Sequence, residues 1–301
     1  MNNRIMAQAV QAEVKPKFRG REVLKAKVQT HFPSNLAREY ERITNAYMTL
    51  LNQTLAEHLP DIRLAIDEEA EGMRTDAAED VQAIIARTFT EIQKAFESKA
   101  ESFGLRRRLE NLGKLTRKLS IAEWKRVVHK TVGIDILEDY YKGEFHRHTL
   151  ELWTKNNADL ITSVPQSTIS NLRNVVKEGY LAGRSNAAIG REIQQAYGVD
   201  RRKAQFWARD QIAKLNSDLT REQQKDAGVD EYVWSDSGDA RVRDRHEELN
   251  GKRFSWNAPP VVDRRTGRRC HPGEDYNCRC VALPVFNLSG LDLPWAKGPE
   301  A

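Results

Sequence analysis

A chain of 301 residues that is 40% hydrophobic and 30% charged, with only ten prolines, has the balance of a soluble and strongly helical protein, long enough for one large or two modest domains. No stretch approaches the roughly eighteen consecutive apolar residues needed to cross a bilayer, so no membrane-spanning segment is expected. The formal net charge of +5 permits contact with nucleic acid and does not establish it. At the start, Met1 to Phe18 carries Arg4, Glu13, Lys15 and Lys17 and has no long apolar run before a small-residue cleavage site. It therefore does not read as a signal peptide, and synthesis in the cytoplasm with reduced thiols is expected.

From Pro33 the chain reads as helix. Leu36, Tyr40, Ile43, Tyr47, Leu50, Leu51, Leu55 and Leu59 recur at the spacing that lines one face, with Pro33 suited to a first turn and Pro60 to a break. After an interruption at Gly72 and a start at Thr75-Asp76, Val81, Ile84, Ile85, Phe89, Ile92, Phe96 and Phe103 repeat the pattern, so the two helices are expected to cover each other's stripes as antiparallel neighbours. A basic concentration follows: Arg106, Arg107, Arg108, Lys114, Arg117 and Lys118, then Lys125, Arg126 and Lys130, face only Glu110 and Glu123. Two readings stay open, a solvated helix face and a row of phosphate contacts. Ser120 and Glu123 have capping-box spacing, which predicts a helix start there running through Val128. Ile134 to Leu152 is expected to resume helix, with His146 and His148 on the surface because alternating positions share no face.

A turn at Asn156-Asn157 is expected to end a helical N-terminal region, residues 1–157. Beyond it the pattern predicts three helices. The first carries Ile169, Leu172, Val175, Val176 and Tyr180 and ends near Gly183. The second follows Ser185 with Ile189 and Ile193 and closes at Gly198. The third opens at Asp200 and carries Phe206, Trp207, Ile212, Leu215 and Leu219 to Gly228. Glu231 to Trp234 reads as a strand and Val281 to Phe286 as its partner, with Pro284 suited to an edge. Between them Arg243 to Leu249 reads as a short helix ended by Asn250-Gly251. The fold class expected is mainly α, a helical N-terminal region followed by a small C-terminal α+β module with a short antiparallel strand pair and a Cys/His loop.

All three cysteines fall in that loop, Cys270, Cys278 and Cys280, beside His271 and behind Arg264, Arg265, Arg268 and Arg269. The excursion has too few apolar residues to hold itself, which gives the ligand types a physical job. A zinc ion bound by His246, His271, Cys278 and Cys280 would tie helix, loop and final strand together. A disulfide from Cys270 to Cys278 or Cys280, and unligated side chains held by hydrogen bonds, remain alternatives. A metal-dependent nuclease with His246 as base and Arg279 toward phosphate is a further reading, although no Gly-rich phosphate loop, Gly-x-Ser-x-Gly elbow or His-Glu-x-x-His motif is present.

The order Tyr232-x-Trp234, Arg241-x-Arg243-x-x-His246, Leu249-Asn250-Gly251 and His271-Pro272-Gly273-x-Asp275-x-Asn277-Cys278-Arg279-Cys280 resembles the phage Mu F-like head morphogenesis family. The likeness runs from near Leu160 to Phe286, giving a module over 158–286 and a tail over 287–301. One departure is Ala208-Arg209-Asp210-Gln211, where the family has an Ala-Arg-Thr-Glu-like sequence, so the acidic residue is lost at Gln211. The resemblance implies a non-enzymatic minor capsid protein of a tailed bacteriophage. It implies synthesis in the host cytoplasm and residence in the virion, on the capsid interior. The implied partners are the portal protein, the major capsid or scaffolding protein and packaged DNA, with passage out alongside the genome.

Overall fold

The computed structural model describes residues 3–28, 30–72, 77–141, 143–182, 184 and 186–295. Its helices are α1 (Asn3–Phe18), α2 (Ser34–Gly72), α3 (Ala77–Phe103), α4 (Leu105–Val132), α5 (Arg147–Leu181), α6 (Asn186–Asp226) and α7 (Asp244–Leu249). The strands are β1 (Val23–Lys25), β2 (Glu231–Ser235), β3 (Arg253–Ser255), β4 (Val261–Asp263), β5 (Arg268–Arg269) and β6 (Val281–Asn287). The mainly helical class with a C-terminal strand pair is as expected. The chain divides into two compact units, one of Arg38–Leu109 and Thr154–Ala208, the other of Met1–Ala37, Glu110–Trp153 and Arg209–Ala301.

In the first unit the predicted stripes are core. Tyr40, Tyr47, Leu51 and Leu55 of α2 and Ile85, Phe89, Ile92 and Phe96 of α3 are buried. The Tyr47 ring lies 5.6 Å from both Phe96 and Phe103, edge-on to the former, a favourable aromatic geometry. The Tyr40 hydroxyl donates to Asn157 Oδ1 at 2.7 Å, so the polar end of a buried ring is satisfied.

The second unit contains the sheet, ordered β1-β6-β2-β3 and antiparallel throughout. Its strands alternate as a half-buried ribbon must, with Tyr232 and Trp234 inward and Glu231, Val233 and Ser235 less covered. Around one part of this unit gather Val10, Val14 and Phe18 of α1, Trp124, Val127 and Val128 of α4, Phe286 of β6 and Leu291 beyond it. Trp124 stacks on Phe286 at 6.0 Å and donates Nε1–H to the Tyr141 hydroxyl at 3.0 Å. At the junction of α6 and β2, Gly228 has φ +69°, and a Cβ there would collide with the Gly290 carbonyl oxygen.

Several local expectations give way to tertiary structure. Pro284 lies in β6, an interior strand and not an edge. It is tolerated because its carbonyl, accepting from Ala26 N at 3.0 Å, faces the β1 side, where the ladder ends at Lys25 and Val285; the missing N–H points where no strand partner remains. Ser120 is inside α4 and starts no helix; its hydroxyl donates to Gln223 Oε1 at 3.3 Å. α2 continues past Pro60, since a proline removes one backbone hydrogen bond without obliging the chain to turn away. Asn156 and Asn157 are helical within α5, and the helices expected on either side of Gly198 are one, α6. Residues 134–137 are irregular and residues 138–141 and 143–146 form turns, so helix resumes only at Arg147. The helix start at Thr75-Asp76, the end at Gly183 and the start at Ser185 lie outside the described residues.

His148 is exposed as expected, but His146 is fully buried, and neither of its ring nitrogens has a hydrogen-bond partner among the described residues. It precedes α5, stacked against Tyr141 at 6.1 Å and edge-on to Phe145 at 4.7 Å. Burial first, and the charge of Arg117 second, push its pKa down from 6.5 to about 4. The folded state therefore holds the neutral ring while the unfolded chain takes up a proton. The neutral ring's stability is fully present above pH 6.5 and is lost as pH falls toward 4. Urea melts across this window should show a loss on the order of 3 kcal/mol that is absent from His146→Phe; an equal loss in the variant would remove His146 as the cause. Gly228→Ala should lower stability by roughly 2 kcal/mol or more in the same assay.

Candidate metal centre

α7 is six residues long, and its three-residue repeat turns His246 and Leu249 inward while Asp244, Glu247 and Glu248 remain outside. Leu249 packs with Tyr232, Trp234, Trp256, Val262, Cys278, Cys280 and Ala282 in a compact apolar cluster. The Trp234 ring stands edge-on to His246 at 5.3 Å. Cys278 and Cys280 are two residues apart on the way into β6, a spacing that returns both sulfurs to the same side. The turn before them is made by Asn277 at φ +49°, a left-handed conformation that asparagine tolerates better than most residues. Its N–H donates to Asp210 Oδ1 at 2.9 Å.

A long helix supplies what the loop lacks in apolar content. Along the C-terminal half of α6, Ser217 donates to the Pro272 carbonyl at 2.7 Å, Arg221 pairs with Glu274 at 2.6 Å, and Gln224 donates to the Ala282 carbonyl at 3.1 Å. Trp256 Nε1 donates to Gln224 Oε1 at 3.1 Å. Asp210, buried and held by Lys214 at 2.6 Å, is the acidic anchor one position before Gln211, where the sequence lacks one. Sequence reasoning gave Asp210 no role because its partner is a backbone N–H, which leaves no compositional trace.

His246, Cys278 and Cys280 are all buried, and one ligand atom from each lies within 4.8 Å of the others. His246 Nδ1 is 3.6 Å from both sulfurs. A tetrahedral ion with bonds of about 2.05 Å to nitrogen and about 2.3 Å to sulfur separates its N and S ligands by about 3.6 Å. The group therefore has the span of three corners of a metal site. Its outer layer is also built: His246 Nε2 meets Asp275 Oδ2 at 3.2 Å, while Arg268 and Arg243 pair with that carboxylate at 2.9 Å and 3.3 Å. A carboxylate behind a ligating imidazole fixes its tautomer and ring orientation.

The electrostatics of the metal-free chain agree. Burial pulls the His246 pKa down, but the hydrogen bond to Asp275 and the neighbouring Cys278 outweigh it and raise the value to about 9. Cys278 is brought down to about 5 by hydrogen bonding from Cys280 and by His246, and Cys280 is pushed up by its bond to Cys278 and by burial. Both shifts run toward a thiolate at Cys278 beside an imidazolium at His246. A cation can replace the protons that hold them together. The same alignment describes a nucleophilic thiol, but Cys278 is 3% exposed and its histidine is equidistant from a second sulfur, an arrangement suited to a shared ion.

His271, expected as a ligand, stands outside this group. Its Nδ1 is 2.9 Å from the Tyr232 hydroxyl, and its ring also bonds the Trp256 backbone and packs 4.8 Å from the Trp256 ring. All three cysteines are unbridged. Arg279, considered for phosphate, is instead paired with Asp239 through both guanidinium nitrogens. Of the basic residues, Arg106, Arg107 and Arg108 lie exposed in the first turn of α4, with Arg108 stacked 4.4 Å over Phe103. Lys114 and Lys118 are exposed one turn apart, and Arg117 is half-buried and donates to the Gly143 carbonyl at 3.1 Å.

Residues 170–283, which include β2, α7, β3, β4, β5 and the Cys/His group, match the family described as phage Mu protein F like protein. The likeness carried by Tyr232 to Cys280 is thereby borne out, and this part of the chain is a phage Mu F-like region. The chain is also similar to an uncharacterized protein of Haemophilus influenzae, 28% identical over 243 residues, or 80% of this chain and 53% of that protein. It spans about half the length of this curated relative. No solved structure matches the chain. Among the described residues no helix is long and apolar enough to cross a membrane.

Asp275→Asn keeps the shape of the side chain and removes its charge. It should weaken metal binding by about 10- to 100-fold in competition with a chromophoric chelator. Unchanged affinity would mean that Asp275 does not support His246.

Proposed function

We propose that this chain is a minor capsid protein that acts in head morphogenesis of a tailed bacteriophage. In this reading it associates with the portal protein and the major capsid or scaffolding protein on the capsid interior, and leaves with the DNA. In this reading residues 158–286 form the working module and residues 1–157 a helical N-terminal region, of which α1, β1 and α4 pack in the same compact unit as the module's sheet. The observation that carries the reading is the family match over residues 170–283, which spans the helix end, strands and loop that build the buried Cys/His group. The role proposed is structural. Particles purified from an infected or induced host should contain this chain by mass spectrometry, and particles free of it would remove the assignment.

Within this function we propose that the ion is zinc. Two thiolates and an imidazole are the ligand softness it favours, and it brings no redox chemistry of its own. His246, Cys278 and Cys280 would hold it, and the ion would brace the module against the loss of its few apolar contacts. Protein purified under reducing conditions should carry about one equivalent of zinc and melt at a lower temperature after chelation. Less than about half an equivalent with an unchanged melt refutes the zinc.

A second reading, non-specific contact with packaged DNA, is favoured by the exposed Arg106, Arg107, Lys114 and Lys118 on α4. Binding to DNA should then fall steeply with salt and show no sequence preference, and a flat response at low salt would dismiss it. A nuclease, the least supported alternative, would nick plasmid in the presence of divalent metal.

A further inference from the structure

We propose that Cys270 supplies the fourth ligand of the metal centre, closing it as a site of three thiolates and one imidazole. This inference rests on the metal reading above. A tetrahedral ion held by His246, Cys278 and Cys280 has one position left. Asp275, the carboxylate bonded to His246, is already engaged by Arg243 and Arg268 as well. His271 is turned to Tyr232 and Trp256. Cys270, by contrast, packs half-buried against the very cluster that contains Cys278 and Cys280. It is the first residue beyond β5, so rotation about its Cα–Cβ bond moves the sulfur without disturbing the β4-β5 ladder.

A second observation comes from Arg268, two residues earlier. Its guanidinium pairs with Asp275, yet its Nε is buried without a hydrogen-bond partner among the described residues. Such a donor is costly to leave unmade, and a sulfur that becomes a thiolate beside it offers an acceptor. On binding, three protons leave the four ligands for solvent, each sulfur forms one bond to the divalent ion, and the deprotonated Nδ1 of His246 forms the fourth. The completed centre carries one net negative charge, which the guanidinium groups of Arg268 and Arg243 offset. All three cysteines of the chain then serve one ion. A tetrahedron filled by the protein has no position for an activated water, so the centre holds the fold together and does not hydrolyse.

The test uses the full chain loaded with Co²⁺, whose sulfur-to-metal absorption scales with the number of thiolates. Cys270→Ser should lose about one third of that absorption and bind about tenfold more weakly, while His271→Gln keeps both. Full absorption in Cys270→Ser, or its loss in His271→Gln, overturns the assignment. X-ray absorption on the unaltered zinc-loaded chain gives an answer independent of any variant's folding: three sulfur neighbours are expected, and two would overturn it. Failure of the unaltered chain to take up either metal would instead defeat the underlying metal reading, and this inference with it.

Discussion

The imidazole of His246 is the joint on which the C-terminal region depends. One nitrogen faces a carboxylate held by two arginines, and the other faces two sulfurs at equal distance. None of these groups is comfortable in an apolar cluster by itself, because a charge taken out of water must find compensation. Together they compensate one another, and the imidazole and two sulfurs form a group that could hold a metal ion. The short helix α7 and the approach to β6 are brought to one point by this network. Without it, the loop between β2 and β6 would rest on a handful of apolar contacts and on α6.

The role of α6 explains why a segment so poor in apolar residues keeps a fixed path. Asp210, Ser217, Arg221 and Gln224 recur along one side of the helix and bond successive parts of the loop, from Asn277 and Pro272 to Glu274 and Ala282. These are mostly bonds from side chain to backbone, so they fix the chain's course without demanding particular loop side chains. Two supports of different kind result: a polar rail along α6 and a sulfur-imidazole knot at its far side.

The arginines of the loop show how local charge density misleads when read without geometry. Arg243 and Arg268 neutralise Asp275, Arg279 is bound to Asp239, and Arg245 and Arg264 share Glu248. They are structural ions. By contrast, Arg106, Arg107, Lys114 and Lys118 of α4 are exposed and form no ion pair among the described residues, so a phosphate backbone could meet them without displacing one.

What the sequence determined by itself is local and chemical. The α2 and α3 stripes, the β2–β6 pairing, α7 with its Asn250-Gly251 stop, and the ligand types near the cysteines all follow from periodicity, turn residues and side-chain chemistry. Tertiary structure decided what depends on direction and company. His146 is buried because Tyr141 and Phe145 close over it, Ser120 is mid-helix because its turn continues on both sides, and Pro284 is interior because β1 stops just short of it. Most tellingly, Cys270 and His271 are adjacent, and composition favours neither as a ligand. The backbone leaving β5 turns the His271 ring to Tyr232 and packs Cys270 against the apolar cluster that contains Cys278 and Cys280, a placement set by packing and not by residue type.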